Sequence, residues 1–385
     1  LRRYELPDGT VQKEDSVFYN FQKGSFSAIC LLEDKTYHTF FGLYSLQDDK
    51  ISIILLPEYG GPEYDKYWQT TEHCRELIAK KIGAQANEIF FIQNTSMGLN
   101  FAAKALELKA GDNVIVSDME FPSNIYPWLN LEREGVEVRI VQTVNGKIPT
   151  EEIRNHMDAR TRAVSLSWVI AANGSVTDIG AIGNICRERG VTYIIDGIQG
   201  LGQIPINVKE IDCDIFVSGF FKWMMGPDGI GFVYIRQEML NRLGYPWLGW
   251  AGMKDKFNYS EFKIDVFDGA KRYETGNMNF SALYGLEACL MFTDGWEETI
   301  RQRICGLSGY LRNELMKIDG IRILSDCTTL SGITLFSSDY IDKISYDLKA
   351  AGYKFSTRGG IRVSLHFYNC YEEVGGFIRT VKKVL

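Results

Sequence analysis

The chain has 385 residues, 45% of them hydrophobic and 24% charged, with a formal net charge of −7, the balance of a globular protein with room for more than one core. Mild acidity without a basic block gives no support for nucleic-acid or membrane-surface binding, and no apolar run nears the roughly 18 residues of a membrane span. The N-terminal Leu-Arg-Arg-Tyr-Glu-Leu-Pro-Asp lacks the apolar centre of a secretion signal, the eight cysteines include no Cys-x-x-Cys pair, and the four histidines are scattered; the expectation is a cytoplasmic chain with reduced thiols and no metal site.

Residues 1 to about 85 are the least readable, with aromatic-rich segments, a strand-sized apolar run at Ile51–Leu56 and a Gly-Gly-Pro break at 60–62. Beyond them strands and helices alternate. Glu88–Gln93 is a short apolar strand, and Ser96–Leu108 has helical periodicity and stops at Gly111. Asn113–Asp118, Val136–Gln142 and Arg162–Ile170 are strands, Asp178–Arg189 an amphipathic helix closed by Gly190, and Val191–Asp196, Ile215–Phe221 and Gly231–Ile235 further strands. This alternation predicts an α/β fold with a mostly parallel sheet. After about residue 292 the rhythm changes. Ile321–Leu324, Gly332–Ser337, Ile341–Ala351, Tyr353–Thr357, Ile361–His366 and Tyr371–Leu385 read as strand, strand, helix, strand, strand, helix, a small α+β domain. The expected division is an N-terminal segment 1–25 packing with the small domain, a large domain 26–291 and the small C-terminal domain 292–385.

Lys222 stands between Phe220-Phe221 and Trp223-Met224-Met225. Two readings fit it: a strand-end lysine that snorkels its ammonium to water, or an amine whose pKa falls in apolar surroundings, making it a nucleophile for a carbonyl. Asp196 ends a buried strand and points to the crevice where α/β sheets bind ligands. It is either a helix N-cap or a carboxylate that keeps a pyridine nitrogen protonated, with Gln199 in reach of a ring hydroxyl. Thr95 and Ser96 follow a strand and open a helix, as capping residues or as a phosphate site of hydroxyls and free N–H groups. Phe121, just past another strand, either joins the core or stacks on a flat ring.

Taken together, these pieces resemble the class V aminotransferase family, which includes cysteine desulfurases, C–S lyases and isopenicillin N epimerases. The resemblance covers roughly residues 65–385. Its most specific part is Asp196-x-x-Gln199 followed by Ser218-Gly-x-x-Lys222-Trp-x-x-Gly-Pro-x-Gly-Ile-Gly, and Ile361-Arg362-Val-Ser364 with Tyr368-Asn369 and Glu373 matches the family's C-terminal pattern. The resemblance implies the fold of pyridoxal-phosphate fold-type I enzymes: a large domain with a mostly parallel, mixed central sheet flanked by helices, plus the small C-terminal α+β domain. It implies pyridoxal 5'-phosphate as cofactor, held as a Schiff base by Lys222. Asp196 would then pair with the pyridinium nitrogen, Gln199 with the ring oxygen, Thr95, Ser96 and Ser218 with the phosphate, and Phe121 would stack on the ring. Arg362, with Arg358 as second candidate, matches the arginine that binds a substrate carboxylate. The run Glu274-Thr275-Gly276-Asn277 resembles the family's loop to the neighbouring subunit's phosphate, which implies a homodimer with shared active sites.

Four departures limit what carries over. Phe221 replaces the histidine that usually precedes the lysine, and Phe121 replaces a stacking histidine. Ala171 stands where the family often has an Asn beside the ring oxygen, and Asn173 is the candidate to compensate and contact substrate. No cysteine lies between Cys327 and Arg362, where a desulfurase carries its catalytic loop cysteine. The expected activity is therefore transamination or β-elimination on an α-amino acid through its external aldimine, without a persulfide cysteine. The alternatives are an epimerase or racemase of the isopenicillin N epimerase type, a nicotinamide-dependent oxidoreductase using the Gly197–Gly202 turn, and a PLP-fold protein without catalysis. A nicotinamide enzyme needs its glycine fingerprint after the first strand, an arrangement the sequence does not show.

Overall fold

The computed structural model describes residues 65–385 apart from 259, 261, 327, 329 and 330, preceded by the start of helix α1 at Tyr64 and the backbone of five strands. Those strands are β1 (Arg3–Glu5), β2 (Val11–Lys13), β3 (Ser25–Leu31), β4 (Tyr37–Ser45) and β5 (Lys50–Leu55). β1 pairs with β2, and β3, β4 and β5 form an antiparallel meander. The expected docking of residues 1–25 on the small domain lies outside the described residues.

The central sheet has seven strands: β6 (Ile89–Ile92), β7 (Asn113–Ser117), β8 (Glu137–Val141), β9 (Thr161–Ser167), β10 (Thr192–Asp196), β11 (Ile215–Gly219) and β12 (Gly231–Ile235). Their order is β6-β12-β11-β10-β9-β7-β8, and only β12 runs against the others. The apolar runs are continuous because both faces are covered. Tyr193, Ile195, Phe216 and Phe232 enter one core, and Ile194, Ile215, Val217 and Val233, one residue out of phase, enter the other. The helices are α1 (Tyr64–Ile82), α2 (Thr95–Ala105), α3 (Tyr126–Asn130), α4 (Thr150–His156), α5 (Ile179–Arg189), α6 (Phe280–Thr293) and α7 (Glu297–Leu315). The cap residues explain two starts: Asn94 Oδ1 accepts the Met97 N–H at the head of α2, and Asp178 Oδ1 accepts the Ala181 N–H at the head of α5.

A third core joins α7 to a small antiparallel sheet of β13 (Ile321–Ile323), β14 (Ile333–Ser338) and β15 (Ile361–Ser364), covered by α8 (Ile341–Ala350) and α9 (Tyr371–Lys382). The strand expected at Tyr353–Thr357 is a single antiparallel bridge, Ser356 to Arg362. The turn at Arg358-Gly359-Gly360 returns the chain at once, so no ladder builds beyond that pair. Among the described residues no helix is long and apolar enough to cross a membrane, and no group of three or more His, Cys, Asp or Glu is placed to hold a metal ion.

A buried ion pair ties α1 to the sheet edge and to the segment before Asn277. Arg75 Nη1 donates to Glu274 Oε1 at 2.8 Å and to the Ile89 carbonyl at 2.8 Å, and the Phe91 N–H donates to the same Glu274 oxygen at 3.1 Å. Both side chains are almost fully buried, so removing Glu274 leaves the Arg75 Nη1 group without its buried carboxylate, with Glu72 still paired at Nε. Glu274→Ala is expected to cost about 3–5 kcal/mol, read as a lowered urea midpoint; an unchanged midpoint would contradict this role.

Candidate active site

Because β6, β7, β9, β10 and β11 run in one direction, their C-terminal ends deliver Thr95, Phe121, Ser167, Asp196 and the Ser218–Lys222 segment to one edge of the sheet. Asp196 is the last residue of β10 and is buried. Its Oδ1 accepts the Ile198 N–H at 3.0 Å. Burial pushes its carboxyl up to about 6, against the pull of that hydrogen bond and of the Lys222 charge. Lys222 is half-buried. Burial draws its ammonium below the ordinary value; the Asp196 carboxylate opposes this and the Arg362 charge adds to it. The amine lies 5.7 Å from the centre of the Phe121 ring and 5.8 Å from that of Phe221. Both rings are 44% exposed, so their faces remain free to stack.

The loop after Lys222 turns tightly. Met225 N donates to the Lys222 carbonyl at 3.0 Å, and Gly226 N to the Phe220 carbonyl at 2.8 Å. Met225 sits in the left-handed region at φ 56°, a conformation costly for a side-chain-bearing residue and characteristic of functional loops. Gln199 is buried, and its Oε1 accepts the Trp223 indole N–H at 2.9 Å.

At the head of α2, Thr95 is buried and its hydroxyl has no hydrogen-bond partner. Ser96 Oγ shares a 2.7 Å hydrogen bond with Ser123 Oγ. Ser218 is buried with its hydroxyl donating to the Gly219 carbonyl, so its side chain serves the local backbone. Arg362, on β15, reaches across from the small sheet: Nη1 donates to the Ala171 carbonyl, while its buried Nε has no partner. Burial and neighbouring Arg358 hold the Arg362 guanidinium below its ordinary value. Arg358 itself is exposed on the turn before β15.

Two expected residues stand apart. The Asn173 amide is held at both ends, its Nδ2 on the Gly146 carbonyl at 2.8 Å and its Oδ1 on the Ser175 N–H at 2.9 Å. Its carbonyl also accepts from Ser325. Asn173 therefore pins a loop between the two sheets. Asn277 is exposed, in the loop beyond Glu274.

Sequence reasoning passed over three residues. Glu120, beside Phe121, is buried and accepts from Ser117 Oγ (3.1 Å), Asn124 Nδ2 (2.8 Å), Ser167 N (2.9 and 3.0 Å) and Ser167 Oγ. Asn124 also accepts from Ser165 Oγ at 2.6 Å. This network fixes the turn that presents Phe121. Trp223 and His366 are the others. The sequence signal for them was position: Glu120 precedes Phe121, Trp223 follows Lys222 within the quoted motif, and His366 lies four residues after Arg362.

The profile of the Aminotransferase class-V family matches residues 64–377. A probable cysteine desulfurase of Methanothermobacter thermautotrophicus is 28% identical over 335 residues, covering 81% of this chain and 83% of that protein. An uncharacterized aminotransferase of Schizosaccharomyces pombe is 28% identical over 381 residues, covering 92% and 93%. Among solved structures, the cystine C–S lyase C-DES in complex with its product cysteine persulfide superposes with a TM-score of 0.78 at 22% identity, covering 84% of this chain and 89% of that one; a variant of C-DES carries glycine covalently linked to its PLP cofactor. That likeness establishes the fold, a pyridoxal-phosphate fold-type I architecture with a mixed, mostly parallel sheet and a small antiparallel sheet.

Burial lifts Glu120 to about 7 from an ordinary 4.5, against the hydrogen bonds from Ser167 and Asn124, with the Asp196 charge adding to the rise. Between those values the folded protein binds more protons than the unfolded chain, so this contribution is full below about 4.5 and is lost as pH rises through 7. Each unit in that window weakens the fold by up to about 1.4 kcal/mol. Glu120→Gln removes this slope, while Asp196 and Asp214, both also raised to about 6, keep theirs. Melting temperatures from pH 5 to 8 are expected to fall more steeply for the wild type than for the variant; parallel curves would contradict the assignment.

Proposed function

The chain belongs to the class V aminotransferase family, and from that premise we propose that it is an enzyme that holds pyridoxal 5'-phosphate on Lys222 and acts on the α-amino group of an amino acid. The observation that carries this reading is Lys222 itself: an amine drawn toward neutrality by burial, with a buried carboxyl opposite it. The residues around it fit the cofactor. Thr95 keeps a buried hydroxyl without a partner at the head of α2, which suits a phosphate together with Ser96 and the free N–H groups of the helix. Asp196 suits the pyridine nitrogen, the Gln199 amide the ring oxygen, and Phe121 the ring face. When bound, the cofactor supplies an electron sink for bond cleavage at the substrate Cα.

The chain's own groups do the rest. Arg362, with a buried Nε still unpaired, binds the substrate carboxylate, and exposed Arg358 adds positive potential at the entrance. Asp196 holds a proton on the ring nitrogen. Lys222 Nζ accepts the Cα proton and returns it, because it is close by and already desolvated. Phe121 and Phe221 supply rings and no proton, and His366 is drawn down to about 4 by burial. Lys222 is thus the proton carrier among the described residues of the site. The branch we propose is transamination or β-elimination, with epimerisation as the alternative.

Five of the six described thiols give no support to a persulfide role, and the sixth, Cys370, is exposed. Cys74, Cys186, Cys213 and Cys289 are buried, and burial pushes each of these thiols, and that of Cys305, above its ordinary value. We read 26–291 as the large and 292–385 as the small domain, in a homodimer. In that dimer exposed Asn277 reaches the partner's phosphate site, and the exposed Leu248, Phe257, Phe262 and Ile264 become covered.

The test is a panel of L-amino acids given to the PLP-loaded protein. The 2-oxo acid is expected, with or without release of a β-substituent. Racemisation without oxo acid would contradict the branch, and a protein that takes up no PLP would contradict the whole reading. Arg362→Ala is expected to raise KM roughly 10- to 100-fold, the worth of a charged hydrogen bond, with a smaller effect on kcat; an unchanged KM would remove Arg362 from the carboxylate site.

A further inference from the structure

One buried hydrogen bond at the site has no part in the chemistry above, namely Trp223 Nε1 to Gln199 Oε1 at 2.9 Å. An indole N–H can only donate, whereas an amide presents an acceptor at one end and two donors at the other. The indole therefore dictates which end of Gln199 faces it. It must meet Oε1, and so the NH₂ group is turned to the opposite side. Among the described residues no acceptor meets that NH₂.

Trp223 has little freedom to release this grip. His366 stacks on its ring at 5.3 Å and 16°, and Tyr368 stacks on His366 at 4.4 Å and 12°. His366 Nδ1 accepts the Phe367 N–H at 3.0 Å, so the proton sits on Nε2, which donates to the Trp223 carbonyl at 3.2 Å. Glycines make room on both sides. A Cβ on Gly332 would come within 2.2 Å of the indole, and one on Gly202, at φ +92°, within 2.6 Å of the Trp223 carbonyl carbon. Gln203 ties the same parts together, its Nε2 donating to the Gln199 carbonyl and its Oε1 accepting the Gly332 N–H at 2.8 Å. Both edges of the lock, Gly332 and His366, lie on segments flanking the small-sheet strands, and β15 carries Arg362.

We propose that Trp223 is a positioning residue: locked by His366 and Gly332, it orients the Gln199 amide so that its NH₂ donates to the ring oxygen of the cofactor. This rests on the reading that Lys222 carries PLP. Burial draws His366 down to about 4, so its stack on Trp223 stays uncharged from about pH 5 upward.

The consequence is spectroscopic. A donor on the ring oxygen withdraws charge from it and weakens its hold on the neighbouring proton; without the donor that proton is held more tightly. The test is Trp223→Phe, which keeps an aromatic ring and deletes the N–H, titrated by visible absorption of the holoenzyme. The acid–base midpoint of the cofactor band is expected to rise by about one unit. In a Gln199→Ala background the same substitution is expected to add no further shift, because the two act as one. A midpoint unchanged in the single variant, or an equal shift in both backgrounds, overturns the proposal. A wild-type protein that remains colourless with PLP overturns the earlier reading, and this one with it. A yellow wild type with an unmoved variant overturns this one alone. Should Trp223→Phe not fold, NMR of the wild-type holoenzyme decides. A Trp223 indole N–H protected from solvent exchange, with a Gln199 NH₂ signal that moves on PLP loading, supports the proposal; an unprotected indole or an unmoved amide overturns it.

Discussion

Burial acts in opposite senses on the two charges at the centre of the site. Removing Lys222 from water favours its neutral amine, and removing Asp196 favours its neutral acid, while each partner's charge restrains the other. The other features of the site follow from keeping these two groups dry and apart from competing partners. Asp196 is dry because β10 is interior to the sheet, with β9 and β11 on its flanks. Lys222 is only partly so, because the loop beyond β11 turns sharply through a left-handed Met225. A pair fully satisfied by each other would be inert. Here burial raises the Asp196 carboxyl to about 6 and draws the Lys222 ammonium below its ordinary value, shifts of the kind that gather at functional sites.

The site is assembled from two cores that meet. The sheet edge provides the amine, the acid, the unpartnered Thr95 hydroxyl and the Phe121 ring, and the small sheet provides Arg362. What joins them is a set of buried polar contacts. Arg362 donates to the Ala171 carbonyl, Ser325 to the Asn173 carbonyl, Ser331 to the Gly174 carbonyl, and Gly332 to Gln203. The loop at 171–175 is therefore structural glue between the sheets. That explains why Ala171 suffices there, since its contribution is its backbone oxygen.

Much of this was legible because the relevant signals are local. The alternating strands of residues 88–235 are written as apolar runs, and Asp196, Gln199 and Lys222 stand at their ends in one chain order. Helices α1, α3, α4, α6 and α7 were not anticipated. The strand at Tyr353–Thr357 failed because a five-residue alternation says nothing about a glycine turn that leaves room for one bridge. The partners of Asn173, Gly146 and Ser175, are likewise decided by tertiary structure. The Trp223–Gln199 bond spans 24 residues and the Trp223–His366 stack 143, and no spacing rule reaches either.

The claim that Lys222 is the cofactor lysine can be measured directly. The protein is loaded with PLP, reduced with borohydride, digested and mapped by mass spectrometry. The account predicts one phosphopyridoxyl group, on the peptide that contains Lys222 and on no other. Label spread over surface lysines, with Lys222 unmodified, would contradict it.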